Sequence, residues 1–357
     1  MKKNTNREIV NLLPGPVEIS QEVVAAFRRL PVSHRGDEFM ADFQVLKTKL
    51  SQFVNAKYAE VITGSGTLAN EVIAAQLAQL QGRGLILING EFGERLLSHA
   101  QRIKLDFETV VFPWGQPFST PEIIKKIAAN APIEWIWTVH CETSTGILND
   151  IDALATICKA HDIKLCVDCI SSIATVPVNL KDVYLASGVS GKAFCSFGGL
   201  AIVFYNHEVA ISPNIARYLD LGYYRAENGI PFTISSCLAY ALKAAVESLE
   251  QEPNIYEKIA HHSKTIRIEL ERLDFNIMND IAVSSPAVIT VQLPSYIDSV
   301  EFGQFLEDKN CFISYKSGYL IRRNLIQTYV TRNTTTKHIE EFINLVNVCN
   351  NSFKECV

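Results

Sequence analysis

Three stretches of the chain carry residue types that could act together in chemistry. The first is Thr63-Gly64-Ser65-Gly66-Thr67-Leu68-Ala69-Asn70, between a short apolar run and a helical pattern. Its glycines let the backbone approach an anion closely, and the free N–H groups of a helix start favour a phosphate there. Ser65 and Thr67 add hydroxyl donors. Alone, the stretch also reads as a strand-to-helix turn capped by Ser or Thr. With Glu91 downstream it even fits a dinucleotide-binding Gly-x-Gly-x-x-Ala. The second is Asp168, which closes the apolar run 163–167. Parallel sheets bind ligands at that end of a strand. A carboxylate buried there unpaired is costly, so it should face a cation; the alternative is a cap for Ser171-Ser172. The third is Lys192, inside Ala186-Ser187-Gly188-Val189-Ser190-Gly191-Lys192-Ala193-Phe194. A lysine among small residues suits a Schiff base, favoured when desolvation or a nearby cation lowers the amine pKa. A snorkelling lysine is the commoner alternative.

The three converge on one cofactor. Pyridoxal 5'-phosphate needs a phosphate cup, a carboxylate on its pyridine nitrogen and a lysine for its aldehyde. They occur in that order at 64–67, 168 and 192. A dehydrogenase would not require Lys192. No metal is expected. Nine cysteines fall after residue 140, and Cys166-Val167-Asp168-Cys169 is their one Cys-x-x-Cys. Without a second pair it reads as buried thiols at a strand end, and an odd number argues against a disulfide framework.

The elements that must position these residues are legible as alternation. Short apolar runs at 59–63, 84–89, 109–112, 135–139, 163–168, 183–187 and 201–205 read as buried strands. Helical patterns lie at 67–81, 91–103, 120–130 and 151–161. Unbroken apolar strands alternating with amphipathic helices predict a mainly parallel sheet covered on both faces. After about residue 246 the texture changes. A long helix at 256–273, strands at 287–293 and 312–315, and a helix at 336–349 predict a smaller α+β unit. Prolines at 14 and 16 predict an arm that crosses to that unit or to a second subunit. The expected division is a large domain over 15–245 and a small domain of 1–14 with 246–357.

Several segments together resemble one family. Leu13-Pro14-Gly15-Pro16 is similar to its N-terminal Pro-Gly-Pro, and Ser33-His34-Arg35-Gly36-Asp37-Glu38-Phe39 to its His-Arg-Ser-x-Glu-Phe. Asn89-Gly90-Glu91-Phe92-Gly93-Glu94-Arg95 matches a segment whose aromatic residue stacks on the cofactor. His140-Cys141-Glu142-Thr143-Ser144-Thr145-Gly146 is close to its His-Cys-Glu-Thr-Thr-Thr-Gly, and Val167-Asp168-Cys169-Ile170-Ser171-Ser172 to its Val-Asp-Ala-Met-Ser-Ser. The chain resembles the class V aminotransferases among the fold-type-I pyridoxal-phosphate enzymes, in the alanine–glyoxylate, serine–pyruvate and 2-aminoethylphosphonate–pyruvate branch.

The resemblance implies an α/β architecture, a large domain with a mainly parallel seven-stranded sheet plus a smaller C-terminal α+β domain. It implies transfer of an amino group from a small donor to a small 2-oxo acid, in a homodimer with shared active sites. Lys192 and Asp168 would be catalytic. Ser65, Gly66 and Thr67 would hold the phosphate with the partner's Thr233, and Phe92 and Thr143 would fix the ring. Two departures stand out. Gly191 replaces the family's Gln or Asn before the lysine, leaving Ser190 as a substitute phosphate contact. The family's Leu-Arg-Ile-Gly-like segment, whose Arg clamps the substrate carboxylate, aligns with Leu325-Ile326-Gln327-Thr328-Tyr329, which contains no Arg. Candidate substrate residues are therefore His34, Arg35, Arg322, Arg323, Gln327 and Arg332.

Bulk properties limit the alternatives. At roughly 100–200 residues per domain, 357 residues predict about two domains. Hydrophobic residues make up 48%, enough for a core, and the net charge of −5 gives no general attraction to nucleic acid or an anionic membrane. No apolar run nears the roughly 18 residues of a membrane span, and the charged N-terminus leads into no signal-peptide core. The expected location is the cytoplasm. The rival readings are a lyase or desulfurase on the same cofactor, with Cys195 and Cys311 as candidate nucleophiles, and a catalytically silent relative.

Overall fold

A computed structural model describes residues 9–354. The first eight and last three residues, which the small-domain expectation includes, lie outside the described residues. After the arm strand β1 (Val10–Asn11) come helices α1 (Gln21–Phe27) and α2 (Asp37–Phe53). Then follow β2 (Tyr58–Thr63), α3 (Gly66–Leu77), β3 (Arg83–Ile88), α4 (Glu91–Arg102), β4 (Phe107–Val111), α5 (Thr120–Ala129) and β5 (Ile133–Val139). A short hairpin of β6 (Cys141–Glu142) and β7 (Ile147–Leu148) precedes α6 (Ile151–Ala160), β8 (Lys164–Asp168), β9 (Leu185–Val189) and β10 (Leu200–Tyr205).

Seven of these strands form one sheet in the order β2-β10-β9-β8-β5-β3-β4. The pairs β3–β4, β3–β5, β5–β8 and β8–β9 are parallel; only β10 runs against both its neighbours. The reversal has a local cause. Parallel neighbours need a long crossover, usually a helix, whereas β9 reaches β10 through the short loop 190–199, which carries Lys192. The inner strands β3 and β10 read as apolar runs because both faces are covered. Leu85 and Leu87 of β3 enter one core with Phe39, Phe43 and Leu46 of α2; Ile86 and Ile88 enter the other with Ile73 of α3 and Leu96 of α4. Each such side chain contributes roughly 1.5–3 kcal/mol on burial.

The long helix α8 (Ser236–Glu250), reached through α7 (Leu221–Ala226), leads to the C-terminal elements. These are α9 (Ile255–Arg272), β11 (Asn276–Ile277), β12 (Val288–Gln292), α10 (Ser299–Glu307), β13 (Cys311–Phe312), α11 (Gly318–Arg322), β14 (Leu325–Tyr329) and α12 (Thr336–Lys354). β11, β12 and β14 make an antiparallel sheet. Of the run expected as a strand at 312–315, Phe312 pairs with Asn11 of the arm, beside Cys311 with Val10, and Ser314 bridges to Gln327; the third strand of the sheet, β14, was not expected. The arm thus crosses to the C-terminal unit. Among the described residues no helix is long and apolar enough to cross a membrane.

Candidate active site at the C-terminal edge of the sheet

The strand ends converge on a cavity of about 720 Å³. Thr63 at the end of β2 pairs with Leu200 at the start of β10, so the turn 64–67 and the Lys192 loop share one edge with Asp168. Seven residues singled out from the sequence line this cavity: Ser65, Gly66, Thr67, Phe92, Thr143, Asp168 and Lys192. Ser65 is the N-cap of α3, yet its side chain makes no capping bond. The first amides of the helix are therefore available to an anion. A Cβ at Gly66 would lie 2.6 Å from Ile170 Cδ1, so the turn packs closely against the side chain that follows Asp168 and Cys169. The arm contributes Pro14 and Gly15, and a Cβ at Gly15 would lie 3.3 Å from the Gly191 carbonyl oxygen.

Burial disfavours the charged forms of the two ionisable groups here. Asp168 is 5% exposed; its Oδ2 accepts from Asn70 Nδ2 at 2.7 Å and its Oδ1 from the Ile170 amide at 2.9 Å. Burial pushes its carboxyl above the ordinary value, and the bonds from Asn70 and Ile170 oppose that. Burial lowers the Lys192 ammonium from its ordinary value, against the pull of Cys141 and Asp168. Cys141 also lines the cavity, its thiol pushed up to about 12 by burial.

Glu142 positions the aromatic wall. It is fully buried, and its carboxylate accepts from the amides of Phe92 (3.1 Å) and Gly93 (3.0 Å), at the start of α4. It also accepts from the amide (3.1 Å) and hydroxyl (2.5 Å) of Ser144. A carboxylate on the open amides of a helix start is a favourable electrostatic pairing. It ties the hairpin that carries Thr143 to the helix that carries Phe92. Tyr319 closes the cavity beside Phe92, with ring centroids 6.5 Å apart.

Other expected site residues lie elsewhere. The Ser190 hydroxyl donates to the Phe197 carbonyl at 2.6 Å and accepts from the Leu200 amide at 3.2 Å. It is fully buried inside its own loop and does not line the cavity. Gln327 is also buried away from the cavity. Its Nε2 donates to the Thr143 carbonyl and to Thr290 Oγ1, and its Oε1 accepts from the Tyr319 hydroxyl. The amide ties Thr143 and Tyr319, which line the cavity, to β12. Arg332 is buried against α8, donating to Ser248 Oγ (2.9 Å), Glu252 Oε1 (3.1 Å) and the Ala245 carbonyl (3.4 Å). Arg323 lies over the Trp114 ring, 4.1 Å from its centroid, and Arg322 is exposed. None of these three arginines lines the cavity. His34, exposed Arg35 and exposed Thr233 also lie outside this chain's own cavity.

The cavity's guanidinium groups come from α4. Arg95 and Arg102 both line it, with Ser98 and His99 between them. Arg95 lies 4.6 Å from the Phe92 ring centroid and 3.4 Å from Glu91 Oε1. Sequence reasoning quoted Arg95 and gave it no role. The signal was there: 92, 95, 99 and 102 are spaced by three and four, which places them on one helix face.

The family model for aminotransferase class-V matches residues 17–319. A soluble hydrogenase 42 kDa subunit of Anabaena cylindrica is 27% identical over 303 residues, 80% of this chain and 79% of that protein. A 2-aminoethylphosphonate–pyruvate transaminase of Pseudomonas aeruginosa is 28% identical over 245 residues, 65% of this chain and 66% of that protein. Among solved structures, an alanine–glyoxylate aminotransferase of Nostoc sp. superimposes with a TM-score of 0.88. It is 24% identical, and the match covers 98% of this chain and 97% of that one.

Proposed function

Because the chain belongs to the class-V aminotransferase family, with the fold-type-I architecture, we propose that it is a pyridoxal-phosphate-dependent transaminase. It would move an amino group from a small donor of the alanine, serine or 2-aminoethylphosphonate type to a small 2-oxo acid. The observation that carries this reading is the meeting of Lys192, Asp168, Phe92 and the open start of α3 in one cavity.

The residues present fit the cofactor. The uncapped amides of α3 with Ser65 and Thr67 suit its phosphate, Phe92 and Thr143 its ring, Asp168 its ring nitrogen and Lys192 its aldehyde. When bound, pyridoxal phosphate supplies the reactive aldehyde and an electron sink. The chain's own groups do the rest. Asp168, as a carboxylate, holds a proton on the ring nitrogen. Lys192 Nζ, its pKa lowered by burial, carries a proton to and from the substrate's α-carbon. Phe92, Tyr319 and the arm at Pro14-Gly15 limit water around that carbon. Since β14 offers no cation, the substrate's acidic group is assigned to Arg95 and Arg102, which present charge-assisted donors from α4.

A lyase or desulfurase on the same cofactor is the second reading. A desulfurase needs an accessible thiolate. Cys195 and Cys311 are fully buried outside the cavity, and the Cys141 thiol is held protonated by burial. Transamination is favoured for that reason. A half-reaction separates the readings: the coenzyme-loaded protein is mixed with one amino donor and no acceptor. Build-up of the pyridoxamine form without ammonia or sulfide is expected. Ammonia or sulfide release without it would replace transamination by the second reading, and a protein that takes up no coenzyme would be a silent relative.

A further inference from the structure

Asp168 is served by a buried side-chain relay. Asn70, one turn into α3, donates from Nδ2 to Asp168 Oδ2 at 2.7 Å; Ser187 on β9 donates from Oγ to Asn70 Oδ1 at 2.8 Å. All three are buried, at 5%, 5% and 0% exposure for Asp168, Asn70 and Ser187. The order of donors follows from chemistry. A carboxylate only accepts, so the amide must turn its NH₂ to Asp168, and its oxygen then falls to the serine hydroxyl, which can donate. Ser187 thus locks the amide in the orientation that suits an ionised Asp168.

An amide at this place is not what packing asks for. Its neighbours in α3, Ala69, Val72 and Ile73, are apolar and buried. A buried amide is unfavourable there unless both its ends are bonded. Asp168 has two oxygens, one on the Ile170 amide and one on Asn70, which together fix the carboxylate plane while it lines the cavity. We infer that Asn70, locked by Ser187, is a positioning residue that holds the Asp168 carboxylate in the orientation that receives the ring nitrogen of the coenzyme. This rests on reading the cavity as a pyridoxal-phosphate site.

The test is a double-mutant cycle read on coenzyme binding and on the bound coenzyme's visible absorbance band. Asn70→Val, Ser187→Ala, Asp168→Asn and the pair Asn70→Val/Asp168→Asn are compared with the wild-type holoenzyme. Loss of one charge-assisted bond predicts about tenfold weaker coenzyme binding and a shifted band for Asn70→Val. Ser187→Ala should move both in the same direction by a smaller amount. In the Asp168→Asn background, Asn70→Val should change affinity by less than about twofold. Two results would overturn the relay: wild-type affinity and band in Asn70→Val, or a tenfold loss that persists with Asp168 replaced. The latter would mean that Asn70 acts through packing. If Asn70→Val does not fold, Ser187→Ala decides, and unchanged binding in it is against the relay. A wild-type protein that binds no coenzyme would remove the site reading itself, a result distinct from any of these.

Discussion

Asp168 is buried and Lys192 half-buried at the cavity, and burial pushes each toward its neutral form: the amine down, the carboxyl up. For the lysine that is useful, since a neutral amine is the form that bonds and carries protons. For the aspartate it is opposed, by Asn70 and the Ile170 amide. These two residues were legible in the sequence because a lysine among small residues and an aspartate closing an apolar strand are unusual settings. Asn70 was not, since an amide inside a helical pattern looks like any other until its partner is known. The substrate arginine was sought at Arg35, Arg322, Arg323 and Arg332, none of which lines the cavity, whereas Arg95 and Arg102 of α4 do. Arg95→Ala and Arg102→Ala should each raise the KM for the 2-oxo acid. A charge-assisted pair is worth about 1.5–3 kcal/mol, so the rise should be roughly tenfold or more, with kcat changed less. Arg332→Ala should lower thermal stability and leave KM near wild type. If both α4 variants keep the wild-type KM, the anion is held by another residue, and Arg35 from a second copy becomes the next to replace.

At the scale of elements, the site depends on how the 141–148 hairpin is fastened to α4. Glu142 accepts four hydrogen bonds there, from two amides of α4 and both donors of Ser144. Glu142→Gln keeps the shape but turns an NH₂ toward donors, leaving buried N–H groups unpaired. The expected destabilisation is about 2–4 kcal/mol in chemical denaturation, with weaker coenzyme binding as Phe92 loosens. A Gln variant as stable as wild type would contradict this role. Most of the seven strands of the large sheet were readable from buried apolar runs, although the edge strand β4 carries Glu108 and is only partly buried. β14 was not read as a strand, since Gln327 and Thr328 interrupt its apolar pattern. Both are buried regardless, Gln327 because Tyr319, Thr143 and Thr290 complete its bonds. Helix α2 was overlooked although Phe39, Phe43, Leu46 and Leu50 repeat at helical spacing, because its start was read as a motif and not as an element.

At the scale of the whole molecule, the arm and the C-terminal sheet are fastened to the cavity from outside. Leu12 accepts from the Tyr329 amide at 2.8 Å, and Gln327 bonds the Thr143 carbonyl. Thr233, exposed and outside its own chain's cavity, fits the proposed homodimer in which it serves the neighbouring site. Sedimentation should show a dimer, and Thr233→Ala should weaken coenzyme binding although the residue is remote from its own cavity. A monomer with full coenzyme affinity and full turnover would contradict that arrangement. This expectation came from the resemblance alone, because an interface between copies has no signature in apolar periodicity. The most direct test of the whole account concerns one nitrogen atom. The protein is loaded with pyridoxal phosphate, reduced with borohydride, digested, and its labelled peptide sequenced. The account predicts a single label, on Lys192, and its loss together with all turnover in Lys192→Ala. A label on any other lysine, or none in the folded wild-type protein, would contradict it.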